Sequence, residues 1–484
     1  MGRPFSGLSC YQYKYCNIGQ RPMILYRSSL QRFHRRLAGE ALSNLAGLLG
    51  DLIPQQQLDQ LRHSGLRQRV FTPLVTFWNF LSQVLSPGQP CRETVRQTQA
   101  ARSRRRAGAI SSTTSAYCQA RCRLREGPLQ TIWQAIAEQN SKAGSPQMLW
   151  NGLRVAVVDG TTVSMPDTAA NQSVWPQHSG QRPGCGFPIM KLLGLFSLAT
   201  GAAHALVTGT LYDAEQSLFP YLWSTLTRGF DLLLGDRAFG SFAMFGALRQ
   251  CGLHGVFRLH QRRKINWRKG IRLGKYDRLV CWNKPYTLTW WLPGLIPDSI
   301  TVRILRVCVP IAGFRTRVLF IATDLLDPKQ FPASDLAELY RRRWHVELFF
   351  RHIKTTMHME ILRCKSPAMI RRELHMHMIA YNLIRALMLQ ASLTYTTSLC
   401  RISFKGSCDT LRQWAPHLAL AAATPASYRY LFRSMLHILA TDVVPLRPNR
   451  FEPRAVKRRP KAYPRLTKPR HFMRTCLTKS QRLI

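Results

Sequence analysis

The chain has 484 residues, with 69 Lys and Arg against 24 Asp and Glu, a formal charge of +45. Such a surface attracts a polyanion and repels itself without one, so nucleic acid is the expected partner class. With 45% hydrophobic residues, 11 Trp, 22 Phe and 15 Tyr, real cores can form, which excludes wholesale disorder and ill suits a small histone-like or ribosomal protein.

The 13 Cys are scattered, and no close pair of pairs makes a zinc ligand set, as expected for reduced thiols in the cytoplasm. Residues 1–20 are polar and lack the apolar core of a signal peptide. Residues 1–145 read as helical, with amphipathic runs at 42–53, 74–84 and 129–137 and the basic cluster Arg102, Arg104, Arg105 and Arg106. Within them, 112–121 offers an N-cap followed by a short polar-basic helix, equally suited to reading DNA or to lying on a surface.

From about 150 the texture changes to short β runs at 155–158, 191–198, 202–210 and 232–234. The stretch 192–212 carries no formal charge and is long enough to span a bilayer, but Ala199-Thr200-Gly201 divides it into two strand-length halves, so a buried hairpin is expected and no membrane span. A second β-rich stretch, 253–325, has runs at 256–259, 286–291, 302–309 and 318–322. Residues 335–358 and 368–392 read as long helices, the first opening at Asp335 through Glu338 with capping-box residue types. The succession predicts an α/β core interrupted before its last helix. From Arg447 to Arg482 there are 13 Lys and Arg against the single acid Glu452, with five Pro interleaved, the composition of an extended phosphate-touching arm.

Two acids stand out by position. Asp159 ends the apolar run 155–158, and Asp236 follows Leu232-Leu233-Leu234-Gly235, so two neighbouring strands would each deliver a carboxylate to the sheet edge. A cleft of clustered carboxylates is costly unless a divalent cation neutralises it, although an Asp after a strand is also an ordinary turn residue. A third acid lies in 340–354: Tyr340, Arg343, Glu347 and Lys354 fall within an arc of about 60° on an ideal helix. An ion-pair ladder alone would also explain Arg343 and Glu347, four residues apart. Asp213 and Glu215, after the second hairpin strand, read as turn residues in preference to auxiliary acids. His375 and His377 read as core or phosphate-facing groups, His254 and His260 lack partners at zinc spacing, and Gly184, Gly186 and Gly194 form no nucleotide loop.

The spacing Tyr-x2-Arg-x3-Glu-x6-Lys of Tyr340, Arg343, Glu347 and Lys354, together with the segments around Asp159 and Asp236 and the 111-residue gap from Asp236 to Glu347, resembles the signature of bacterial insertion-sequence DDE transposases of the type-four family. The resemblance covers roughly 150–390. It implies a ribonuclease-H-like core in which Asp159, Asp236 and Glu347 bind two Mg²⁺, with Mn²⁺ able to substitute. The implied activity is cut-and-paste transposition by end nicking and 3′-OH strand transfer. Tyr340, Arg343 and Lys354, with Arg237 and Arg351, would bind the phosphates of distorted DNA. Partners would be double-stranded DNA, as terminal inverted repeats and target, and a second copy in a synaptic homodimer; the place would be the bacterial cytoplasm, in association with the nucleoid.

The expected organisation is a helical DNA-end-binding region (1–145), a first part of the core (146–252), a β-rich insertion (253–330), the catalytic helix and end of the core (331–395), a helical C-terminal region (396–446) and the basic arm (447–484). Relatives stack a Trp of the insertion where a base has flipped out; Trp267, Trp282, Trp290 and Trp291 are the candidates here. A structure-specific nuclease on the same core, or a catalytically inactive DNA-binding relative, would share many of these residues; the intact acids and spacing speak against the latter.

Overall fold

The computed structural model describes residues 45–61, 69–104, 106–260, 262–263, 265–286, 296–308, 318–422 and 424–445, with 466, 468–469, 471–473 and 475. Residues 1–44 and most of the basic arm lie outside this set, as do Arg105, Trp290 and Trp291.

Nine strands form one mixed sheet: β1 (Val155–Ser164), β2 (Ile189–Ser197), β3 (Ala203–Thr210), β4 (Leu232–Gly235), β5 (His254–Arg258), β6 (Ile271–Gly274), β7 (Asp277–Asn283), β8 (Ser299–Cys308) and β9 (Val318–Thr323). Their order is β3-β2-β1-β4-β5-β9-β8-β7-β6. β4 runs parallel to both β1 and β5, and every other pairing is antiparallel. The strands of 253–325 therefore continue the central sheet through β5 and β9.

Helices cover both faces, which is why β1 begins Val-Ala-Val-Val with no polar alternation. Val155 and Val157 face one apolar layer, with Phe349, Phe350 and the helix Pro367–Tyr395, while Ala156 and Val158 face the other, with Leu218, Phe219, Phe245 and Leu248. At roughly 1.5–3 kcal/mol for each fully buried aliphatic side chain, these layers dominate the stability of the sheet. The described residues between 45 and 143 are mostly helical, with α1 (Pro73–Leu85), α2 (Ser115–Arg123) and α3 (Glu126–Ala143) among their helices; the rest of the expected helical region, 1–44, lies outside the described residues. Thr114 precedes α2 but makes no side-chain cap bond, so the expected cap is absent; its backbone is already helical, and a capping residue needs extended angles.

The uncharged stretch is the hairpin β2–β3. Gly201 turns it with a φ of +70°, and the long helix holds the turn from below: Tyr381 Oη donates to Gly201 O at 2.7 Å, Arg385 Nε to Thr200 O at 2.8 Å, and Asn382 Nδ2 to Ala203 O at 2.9 Å. No helix among the described residues is long and apolar enough to cross a membrane.

Two histidines sit in these layers with no room for charge. Burial lowers His204, whose Nε2 lies 2.8 Å from Ser141 Oγ, to about 4, and lowers His377 to about 3. The unfolded chain protonates near the ordinary value of about 6.5, so the stability these rings permit is complete above that pH and is lost as pH falls toward their folded values. Each is expected to remove about 2 kcal/mol by pH 5. Thermal unfolding at pH 7.5 and pH 5 measures this, and an unchanged midpoint would contradict it.

Candidate active site

Asp159 lies inside β1, not at its end as its position after the apolar run suggests. β1 continues to Ser164 against β2, but its parallel pairing stops at Val157–Leu234 because β4 is short. The Asp159 carboxylate emerges where the neighbouring strand has ended, and Asp236 is the first residue beyond β4. Each carboxylate has one oxygen tied to backbone: Asp159 Oδ1 accepts from Gly160 N at 3.0 Å, and Asp236 Oδ1 from Ala238 N at 2.7 Å. Asp236 is thus a turn residue as well as a member of the cleft.

The third acid arrives on a broken helix, not the continuous one expected over 335–358. Pro332 precedes α4 (Ala333–Arg342), which leaves Asp335 in the first turn and not at the cap. The N–H groups of Arg343, Trp344 and Val346 each bond three residues back, a tight turn that separates α4 from α5 (His345–Arg351). A π-helical turn follows at His352–Thr356. Each change of pitch rotates what comes after it, so the ideal 100° spacing does not carry from Tyr340 to Lys354. Tertiary contact restores the convergence. A Cβ on Gly194, the β2 residue opposite Asp159, would press on the Phe196 and Phe350 rings, so its absence lets α5 settle close to the sheet.

Arg343 is the centre of the assembly. It is buried, with Nη2 3.1 Å from Glu347 Oε1 and Nη1 3.6 Å from Asp159 Oδ2. The ladder contact therefore exists, but the same guanidinium also reaches the first aspartate. Arg343 Nε is buried and finds no acceptor among the described residues. Tyr340, only 3% exposed, lies behind Arg343, and burial pushes its hydroxyl up to about 12. Lys354 Nζ meets Thr161 Oγ1 at 3.1 Å. Arg237 and Arg351 are exposed, one beside Asp236 and the other at the end of α5.

Burial raises the Asp159 pKa; Arg343 opposes the shift, and Asp236 and Glu347 add to it. Glu215, read from the sequence as a turn residue, belongs to this neighbourhood. Burial raises its pKa, and Asp159 and Asp236 raise it further, against Lys191. Asp213 does make the turn, its Oδ2 accepting from Thr210 N at 2.6 Å and Thr210 Oγ1 at 2.9 Å. Nothing in the sequence separates these two acids, which differ only in where the chain points them. Among the insertion tryptophans, Trp282 packs against Phe245 and is buried, and Trp267 is half-buried against Tyr276 and Phe320. Trp344, absent from that set, is exposed beside Arg343. His377 is buried in the core, whereas His375 is half-buried with Nε2 3.5 Å from Glu126 Oε1.

No three His, Cys, Asp or Glu side chains among the described residues stand close enough, as placed, to hold a metal ion. Arg343 neutralises Asp159 and Glu347 instead. The donor set nevertheless fits a hard divalent cation: it offers carboxylate oxygens, partly accessible, and two of the acids, Asp159 and Glu215, are pushed toward protonation by burial and by neighbouring acids.

The sheet brings acids from two parallel strands and one helix to a single cleft beside Arg343 and Lys354. The family model described as a transposase DDE domain matches residues 150–383, which contain all three acids. The transposase InsG for insertion sequence element IS4 of Escherichia coli (strain K12) is 27% identical over 435 residues, 88% of this chain and 95% of that one. A piggyBac transposase in a synaptic complex with hairpin DNA covers 84% of this chain and 86% of its own at 11% identity, with a TM-score of 0.43. Residues 150–383 thus match the domain of enzymes that cleave DNA and join its strands with divalent metal ions, and a DNA transposase is the activity this supports. Over most of its length the chain is similar to a transposase of the IS4 type.

Proposed function

We propose that Asp159, Asp236 and Glu347 are the catalytic carboxylates of a cut-and-paste transposase and hold two Mg²⁺, for which Mn²⁺ can substitute. The observation that carries this is the arrangement itself: Asp159 and Asp236 leave adjacent parallel strands where β4 ends, and Arg343 joins Glu347 to Asp159. The order β3-β2-β1-β4-β5, with β1 to β3 antiparallel and β4 and β5 parallel to β1, supports a ribonuclease-H-like core that includes β5, so that the insertion expected over 253–330 begins only after Arg258. When bound, the two ions supply charge neutralisation for the entering and leaving oxygens of an in-line displacement.

The chain's own groups do the rest. The carboxylates fix where the scissile phosphate lies relative to the sheet. Arg343 and Lys354 grip the phosphates of the distorted end, with Arg237 and Arg351 at the rim, and Tyr340 acts from behind by holding the Arg343 guanidinium. The helical region before 146 binds the transposon ends, the helical 396–446 region buttresses the core, and the arm from 447 adds sequence-independent phosphate contacts. A synaptic homodimer on the bacterial nucleoid is the working assembly.

Purified protein, Mg²⁺, a linear DNA bearing both ends and a supercoiled target test the route. The expected products are an excised fragment and then that fragment joined to target. Cleavage without joining of a pre-cut 3′-OH end would indicate a nuclease, and joining while the donor flanks remain attached would overturn cut-and-paste.

A further inference from the structure

Glu215 lies beside Asp159 and Asp236, and the three-carboxylate scheme gives it no task. It opens the short helix Glu215–Leu218 after β3, and its carboxylate accepts no hydrogen bond among the described residues, in contrast to Asp213 two positions earlier. Its place is built. A Cβ on Gly160 would fall inside the Glu215 carboxylate, so the chain has no side chain where this acid lies against β1. Gln216 Nε2 donates to Ala238 O, which ties the same turn to the loop that carries Asp236. Gly160 faces the layer of Leu218 and Phe219, whereas Glu347 comes from the helix on the opposite layer with Phe349 and Phe350. Glu215 therefore closes the site from the other side of the sheet. Half-buried against β1 beside Asp159 and Asp236, Glu215 stands where a cation would complete the set.

We propose that Glu215 is a fourth carboxylate of the cation-binding set, and that Gly160 is glycine to admit it. This rests on the metal reading of Asp159, Asp236 and Glu347, so the experiment separates the two. Mn²⁺ alone is titrated into the full-length protein without DNA, and free Mn²⁺ is read by electron paramagnetic resonance, for the wild type, Glu215→Gln, Gly160→Ala and Asp236→Asn. Glu215→Gln keeps the shape of the side chain and is expected to weaken Mn²⁺ binding about tenfold, on the scale that loss of a supporting group costs a metal site. Gly160→Ala, which displaces the carboxylate and leaves it in the chain, is expected to weaken it in the same direction. In EDTA, Glu215→Gln is expected to unfold at the wild-type temperature or higher, since it removes repulsion, and to lose part of the rise in melting temperature that Mn²⁺ gives. Wild-type Mn²⁺ binding by Glu215→Gln, with binding lost in Asp236→Asn, would overturn the role of Glu215 and leave the three-acid site standing. Wild-type binding by Asp236→Asn would overturn both.

Discussion

Alanine at Asp159, Asp236 or Glu347 is expected to lower metal-dependent cleavage of transposon ends by at least about 10³-fold, roughly 4 kcal/mol of barrier, while end binding stays within a few-fold. The two effects separate because affinity for DNA comes from a basic surface of formal charge +45, which the loss of one acid barely changes. The variants are expected to fold. Asp159 is already disfavoured as an anion by burial, so its loss removes a strained charge. Asp236→Ala gives up the Ala238 N–H contact and is expected to lose about 1 kcal/mol of stability, the usual worth of such a bond. Gel-shift and cleavage assays on the same preparations decide the matter, and a variant that still nicks at the wild-type rate removes its residue from the site.

The second large effect concerns the grip on DNA. Arg343→Lys and Lys354→Ala are expected to slow processing of intact ends about 10²-fold, the scale of losing one preorganised donor. An end already nicked and mismatched near the cut should recover part of this, because less deformation is needed. Arg343→Lys is the sharper probe: it retains a cation between Asp159 and Glu347 but loses the planar fork that reaches both. If Arg343 served only as a helix ladder to Glu347, whose side chain is 45% exposed, the change would cost a few tenths of a kcal/mol of stability and leave cleavage intact. Tyr340→Phe separates a positioning role from a phosphate contact. The buried ring remains and only the hydroxyl beside Arg343 is lost, so a smaller defect of the same kind as Arg343→Lys is expected.

Much of this protein was legible along the chain because the signals are local. The run Val155–Val158 before Asp159 and the run Leu232–Leu234 before Asp236 are apolar because both faces of a parallel pair are covered, and a strand buried in that way cannot hide its first polar residue. The uncharged stretch around Gly201 declared a hairpin because a backbone able to take a positive φ divides two strand-length halves. The residue types of Tyr340, Arg343, Glu347 and Lys354 were equally plain.

What the sequence could not decide was set by lengths and contacts between distant segments. That β1 outruns β4 depends on where two separate stretches stop pairing, and this places Asp159 at an opening inside a strand. The tight turn at Arg343 and the π-turn carrying Lys354 contradict a uniform helical period; packing of α5 onto Gly194, and the reach of Lys354 to Thr161, outweigh the small cost of leaving it. Asp213 and Glu215 are two acids in one turn, alike in local sequence. Only the tertiary structure turns one to the backbone of Thr210 and the other into the space beside Gly160, because that choice depends on a strand more than fifty residues earlier in the chain.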